Sequence, residues 1–234
     1  MKLHETKFWN EYHQFDKIVN DSSMRCTVDA YVYYKIFNKY RYKNILEIGF
    51  YQGQTAGLIA EITDQDAVIT CLDPAPKCEL LDLIYPDFKS GKIQLHQITS
   101  QSFDFGNYDI IIIDGNKNYD FVSLDMQNSL KSIDRKGMIL VNEYQKSSVQ
   151  KAIYKHLLRN GMVPFLQTDQ TLFFHYPDVD RSEFLDNELV DPGFNFISFE
   201  NNDVMGHCVL FATTLPIFSN RMDFYNLALK EFDV

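Results

Sequence analysis

The chain is notable first for what it lacks. No run approaches the roughly 18 apolar residues of a spanning helix, so no spanning helix is expected. The start, Met1-Lys2-Leu3-His4-Glu5-Thr6-Lys7, carries no apolar stretch of a secretory leader, so the cytoplasm is the expected location. The cysteines Cys26, Cys71, Cys78 and Cys208 form no C-x-x-C pair. The histidines at 4, 13, 96, 156, 175 and 207 show no metal spacing. Reduced thiols are expected, with Cys71 a small buried hydrophobe in a strand. His96 also falls in a strand and reads as a core or edge histidine. Basic charge is short as well: 22 Lys and Arg against 32 Asp and Glu leave a net charge of −10. Such a chain repels phosphate backbones, so nucleic acid is a disfavoured partner. The one basic cluster, Lys35, Lys39, Arg41 and Lys43, reads as a solvated helix end.

What is present is a core. Hydrophobic residues make up 45% of the chain and aromatics 15%, which rules out a disordered composition. Apolar spacings of three and four predict a helix over residues 5–20 and a second from Thr27 to about Tyr40. Alternation then begins. Strands are expected at Asn44–Gly49, Ala67–Leu72, Ile93–Ile98, Tyr108–Ile113 and Gly137–Val141. Helices are expected at Thr55–Ile62, Asp120–Ser132 and Ser148–Arg159, and a hairpin at Met162–Gln167 and Thr171–Tyr176. Ile110-Ile111-Ile112-Ile113 suits a strand covered on both faces. The pattern implies a mostly parallel sheet with right-handed crossovers and an antiparallel closing strand. Residues 1–42 form an N-terminal helical segment and 43–176 the α/β core. The extension 177–234 breaks the alternation, with a loop or short helix over Asp178–Asp191, a strand near His207–Thr213 and a helix over Met222–Glu231. It serves as lid, dimer arm or sheet edge.

Glu47-Ile48-Gly49-Phe50-Tyr51-Gln52-Gly53 stands where the first strand turns into a helix, the place where open α/β sheets bind ligands. Its G-x-x-x-G spacing is neither the G-x-G-x-x-G of a pyrophosphate loop nor a G-K-S/T phosphate loop, which argues against a nicotinamide-dependent oxidoreductase. An acid two residues before the first glycine suits an ammonium or sulfonium instead. Asp73 ends the second strand 26 residues after Glu47, where a carboxylate accepts from two ribose hydroxyls. Together these describe an adenosine with a cationic amino-acid tail. The plainer alternative is a structural turn.

A second acidic group lies at the ends of strands four and five, in Asp114-Gly115-Asn116-Lys117-Asn118-Tyr119 and Asn142-Glu143-Tyr144. Oxygen ligands from Asp114, Asn142 and Glu143 make a hard cation such as Mg²⁺ a candidate there. It would lower the pKa of an acceptor hydroxyl and of Lys117, a candidate general base. The alternatives are a solvated loop lysine at 117 and a surface carboxylate at 143. For Tyr119 and Tyr144, packing is favoured over ligand stacking.

On these residues, Lys43 to Tyr176 resembles the class I S-adenosylmethionine-dependent methyltransferases. Within them it is most similar to small-molecule O-methyltransferases of the catechol and macrocin type. The matching stretches are Leu46 to Thr55, Asp73, Ser100-Gln101 and Ile113-Asp114-Gly115. The resemblance implies a doubly wound, mostly parallel seven-stranded α/β sheet. It implies that Glu47, Gly49, Tyr51, Gly53, Thr55 and Asp114 line the cofactor, that Asp73 holds its ribose, and that Ser100 and Gln101 edge its adenine. Lys117 matches the base of the catechol type. Asn142 departs from the macrocin type, which has an acid there. The implied activity is O-methylation of a small hydroxylated acceptor, whose identity the residues do not disclose. The alternative is a non-catalytic module binding S-adenosylmethionine or its product. Acceptor selection would fall to the segments before Lys43 and after Tyr176, with Trp9, Phe194, Phe196 and Phe199 as pocket candidates, and a homodimer is plausible from their extra length.

Overall fold

Asn44-Ile45-Leu46-Glu47-Ile48 has apolar residues on both faces and no helical period. In the computed structural model it forms strand β1, Asn44–Ile48, buried after its first residue. The structure describes residues 33, 36, 37, 39–77, 90–167, 170–179, 195–201 and 206–212. The helix expected over 5–20 and the one over Met222–Glu231 lie outside these residues, as does nearly all of Asp178–Asp191. Of the helix expected from Thr27 to Tyr40, the described Tyr33, Ile36, Phe37, Lys39 and Tyr40 are helical. The chain divides into two compact units, Met1–Asp104 and Phe105–Val234, taken in turn.

In the first unit, helix α1 spans Gln54–Ile62, followed by β2, Val68–Leu72, and β3, Ile93–His96. β2 pairs in parallel with β1 and with β3, so the three strands end on one edge. Helix α1 buries Ala56, Leu58, Ile59 and Ile62. Tyr33, Ile36 and Phe37, at spacings of three and one, are also buried. The Phe37 ring meets Tyr42 edge-on at 6.1 Å. Arg41 pairs with Asp64 and Lys43 with Asp66, all exposed, so half of the basic cluster is already neutralised by local acids.

In the second unit, β4 is Tyr108–Ile113, helix α2 is Tyr119–Ser132 and β5 is Ile133–Asn142. β5 runs parallel to β4 and begins four residues before the Gly137 expected from sequence. Asp134, Arg135 and Lys136 are exposed, and the pairing shifts register between Tyr108 and Ile110. The polar triplet bulges out of the ladder, and alternation cannot reveal a strand that contains a bulge. Gly137 closes it, because a Cβ there would meet the Asp109 carbonyl oxygen at 2.4 Å. The following helix is α-helical over Ser147–Ala152 (α3), then π-helical over Ile153–Leu157 and 3₁₀ over Leu158–Asn160. β6, Val163–Gln167, and β7, Thr171–His175, form the expected hairpin, with β7 antiparallel to β5. In the extension, β8, Asn195–Asn201, pairs antiparallel with β9, Gly206–Ala212, and β9 lies parallel to β6. Among the described residues, no helix is long and apolar enough to cross a membrane.

Candidate functional site

The glycine loop leaves β1 through three residues of left-handed backbone: Gly49 at φ 97°, Tyr51 at 48° and Gly53 at 79°. Glycine adopts these angles freely, whereas Tyr51 does so at a cost of about 1–2 kcal/mol. Something must hold the loop, and that is Asp73 at the end of β2. Its Oδ2 accepts from the backbone N–H groups of Tyr51 at 2.7 Å and Phe50 at 3.1 Å, and its Oδ1 accepts from Ala75 at 2.8 Å. Two further bonds, Gly49 N–H to the Leu72 carbonyl and Gly53 N–H to that of Phe50, complete the turn into α1. Sequence reasoning assigned Asp73 to a ligand and missed this work on the backbone. It also missed Lys77, whose Nζ donates to the Tyr51 hydroxyl at 2.7 Å and lies 4.5 Å from the ring centroid.

Glu47 is 2% exposed and stands opposite Cys71 in the β1–β2 register. The Cys71 thiol donates to its Oε2 at 3.6 Å. Burial, and then the adjacent carboxylate, push the Cys71 thiol well above its usual pKa, so it is the inert core thiol expected. Thr55 lies in the first turn of α1. Ser100 is buried and Gln101 exposed, in a short 3₁₀ turn after β3. The first unit thus brings Glu47, Gly49, Tyr51, Gly53, Thr55, Asp73, Ser100 and Gln101 to the carboxyl edge of three adjacent parallel strands. His96 packs its ring 5.2 Å from that of Phe103, as an edge histidine.

In the second unit, Ile113 pairs with Val141, so Asp114 and Asn142 leave neighbouring strands at one edge. Lys117 donates from Nζ to Asp114 Oδ1 at 2.8 Å, and its side chain is only 10% exposed. Its main-chain carbonyl is held by the Ser148 hydroxyl at 2.6 Å. Burial raises the Asp114 carboxyl pKa; Lys117 pulls it down, Glu143 adds to the rise, Lys146 opposes it, and the balance stays raised. Glu143 has a left-handed backbone, φ 53°, and its Oε2 accepts from Lys146 Nζ at 2.9 Å. The Oδ1 of Asn142 is buried with no hydrogen-bond partner. Tyr144 is wholly buried, so packing is its role. Tyr119 lies against α3 and the turn that continues it, its ring centroid 5.0 Å from Lys151 Nζ and 5.7 Å from Lys155 Nζ. Burial acts to raise its phenol pKa, but the neighbouring Lys155 and Lys151 ammonium groups outweigh it, leaving the pKa lowered.

Among the described residues, no three His, Cys, Asp or Glu side chains are placed to hold a metal ion. The oxygen set expected for Mg²⁺ does not fit a divalent cation as folded, because each of its two carboxylates already pairs with an ammonium. The aromatic pocket candidates Trp9 and Phe194 fall outside the described residues, and for Phe196 and Phe199 only the backbone of β8 is described.

Residues 46–144 match the family described as a methyltransferase domain. No curated protein matches the chain significantly. The SAH-bound methyltransferase PaMTH1 of Podospora anserina superposes with a TM-score of 0.52 at 19% identity, over 64% of this chain and 78% of that one. A Staphylococcus aureus protein described as a caffeoyl-CoA O-methyltransferase gives 0.55 at 15%, over 70% and 90%. An O-methyltransferase of Bacillus cereus in complex with SAH gives 0.51 at 11%, over 87% of each. Such identities speak for the fold: α/β, doubly wound, with a mostly parallel seven-stranded sheet, here extended by β8 and β9. The methyltransferase-domain match over residues 46–144 lies inside that fold and agrees with the resemblance read from Leu46 to Gly115.

Proposed function

We propose that this chain is an S-adenosylmethionine-dependent O-methyltransferase of a small hydroxylated molecule, its α/β core spanning 43–176. The observation that carries the reading is the Asp114–Lys117 pair at the end of β4, a little-exposed amine beside a carboxylate on the edge where such sheets place their chemistry.

The first unit's loop suits the donor. Gly49 and Gly53 let backbone approach a ligand without a Cβ, and Glu47 and Asp73 supply carboxylates at the ends of adjacent strands for a cationic amino-acid tail and a ribose. Asp73 uses three of its roughly four acceptor positions on backbone N–H groups, two in the loop and one at Ala75, so one remains for a ribose hydroxyl where the sequence suggested two. Thr55, Ser100 and Gln101 complete this set. When bound, S-adenosylmethionine supplies a methyl group on a positive sulfur, which leaves as a neutral thioether.

Lys117 rests as the ammonium paired with Asp114; once it has given up that proton, its Nζ takes the acceptor hydroxyl's proton while the oxygen attacks the methyl carbon. Asp114 favours this transfer because the ammonium it produces is the form that pairs with the carboxylate. Ser148 fixes the Lys117 main chain and so limits the positions of the amine. No step here passes through a metal ion.

The test is transfer of labelled methyl from S-adenosylmethionine to a panel of catechols, simple phenols and sugars. The reading predicts turnover on at least one class. It also predicts that Lys117→Met lowers kcat by about 100-fold or more, the usual contribution of a positioned base, with S-adenosylhomocysteine affinity unchanged. Cofactor binding without turnover on any acceptor would favour the non-catalytic binding module.

A further inference from the structure

The two loops at the carboxyl ends of β4 and β5 carry the same device. Asp114-Gly115-Asn116-Lys117 and Glu143-Tyr144-Gln145-Lys146 each place a lysine three residues after an acid. In each, the Nζ has folded back onto its own carboxylate, at 2.8 Å and 2.9 Å. The second loop is closed further by the Lys146 N–H on the Glu143 carbonyl at 3.1 Å. The two pairs leave neighbouring strand ends, since Ile113 pairs with Val141, so the four charges share one edge.

We propose that Lys117 and Lys146 take the place of a divalent cation in this domain, so that the rim of β4 and β5 works without one. The inference rests on the functional reading above for the identity of the rim, and on the ion pairs for its content. A hard dication is held by converging oxygen ligands with uncompensated negative charge. Here the charges of Asp114 and Glu143 are cancelled within their own loops. The third oxygen on the edge belongs to Asn142, a neutral amide in a place where an acid would add charge. A dication arriving there would meet two ammonium groups and no net negative charge; the repulsion is greater at the little-exposed Lys117 than at the exposed Lys146, which water screens. An ammonium also supplies what an acceptor oxygen needs as it develops charge: a positive group with protons to donate. The buried Oδ1 of Asn142 is left to accept from a neutral O–H rather than to ligate a metal.

The probe is Mn²⁺, a paramagnetic substitute for Mg²⁺, titrated into the full chain while free ion is counted by electron paramagnetic resonance. This readout needs neither turnover nor cofactor, so its failure is distinct from failure of the methyltransferase reading. Wild type is expected to leave the free-ion signal undiminished at millimolar metal. The variant Lys117→Met/Lys146→Met, which frees both acids, is expected to bind Mn²⁺ at least tenfold more tightly. Should it fail to fold by circular dichroism, the exposed single change Lys146→Met serves, with a smaller gain expected. Stoichiometric Mn²⁺ binding by wild type that Asp114→Asn abolishes would overturn the proposal. So would folded lysine variants that gain no affinity.

Discussion

Replacing Asp73 with alanine separates a ligand contact from a structural one. In the structure this carboxylate accepts three backbone N–H bonds, from Phe50, Tyr51 and Ala75, at 2.7 to 3.1 Å. A hydrogen bond to a charged group contributes about 1.5–3 kcal/mol when buried. Two of these three are exposed, where water replaces much of the lost interaction, so their shares fall toward the lower end. The left-handed backbone of Tyr51 is held by the shortest of the three, and its release returns part of the strain. Asp73→Ala is therefore expected to lose about 2–4 kcal/mol of unfolding free energy, and Asp73→Asn about 1–2, since one amide oxygen still accepts. Urea unfolding followed by circular dichroism measures both without any cofactor present. An Asp73→Ala protein within about 0.5 kcal/mol of wild type, the range of an ordinary surface change, would refute the claim that this side chain holds the loop.

Two further outcomes follow from local geometry. Gly137→Ala sets a methyl 2.4 Å from the Asp109 carbonyl and 2.8 Å from Ile133 Cδ1, and is expected to cost about 1–3 kcal/mol by denaturant unfolding, because backbone must move. Burial, with the charge of Lys155 adding, lowers the His156 pKa below its ordinary 6.5. A base with a depressed folded pKa contributes stability that is present above 6.5 and is lost as pH falls through the folded value. The unfolding midpoint should fall on acidification below pH 6.5, and His156→Gln should flatten that decline. A slope unchanged by the variant would assign the loss to other groups.

How much was legible followed from the length scale of each signal. β1, β2 and β4 are short apolar runs bounded by polar or glycine residues, and their limits in sequence fall within a residue or so of those observed. β5 was half legible, because Asp134-Arg135-Lys136 reads as a loop and is a bulge. The helix expected over Ser148–Arg159 was seen as one element, yet it tightens and loosens through three helical forms. Side-chain periodicity does not resolve a single π-turn when Val149, Ile153 and Leu157 stay buried throughout. At the site, residue types and their strand ends were readable; partners were not. That Asp73 turns to backbone depends on the φ of Tyr51. That Lys146 closes on Glu143 depends on a left-handed residue at the end of β5. Spacing alone makes Glu143-Tyr144-Gln145-Lys146 look like any solvated charge pair.

The measurement closest to the central claim is calorimetric titration of the intact chain with S-adenosylhomocysteine, with NAD as the comparison ligand. Saturable one-to-one binding of the homocysteine adenosine, weakened when Gly49 is changed to valine in a protein that still folds, and no heat from NAD, is the expected result. A folded chain that takes up NAD and ignores S-adenosylhomocysteine would contradict it.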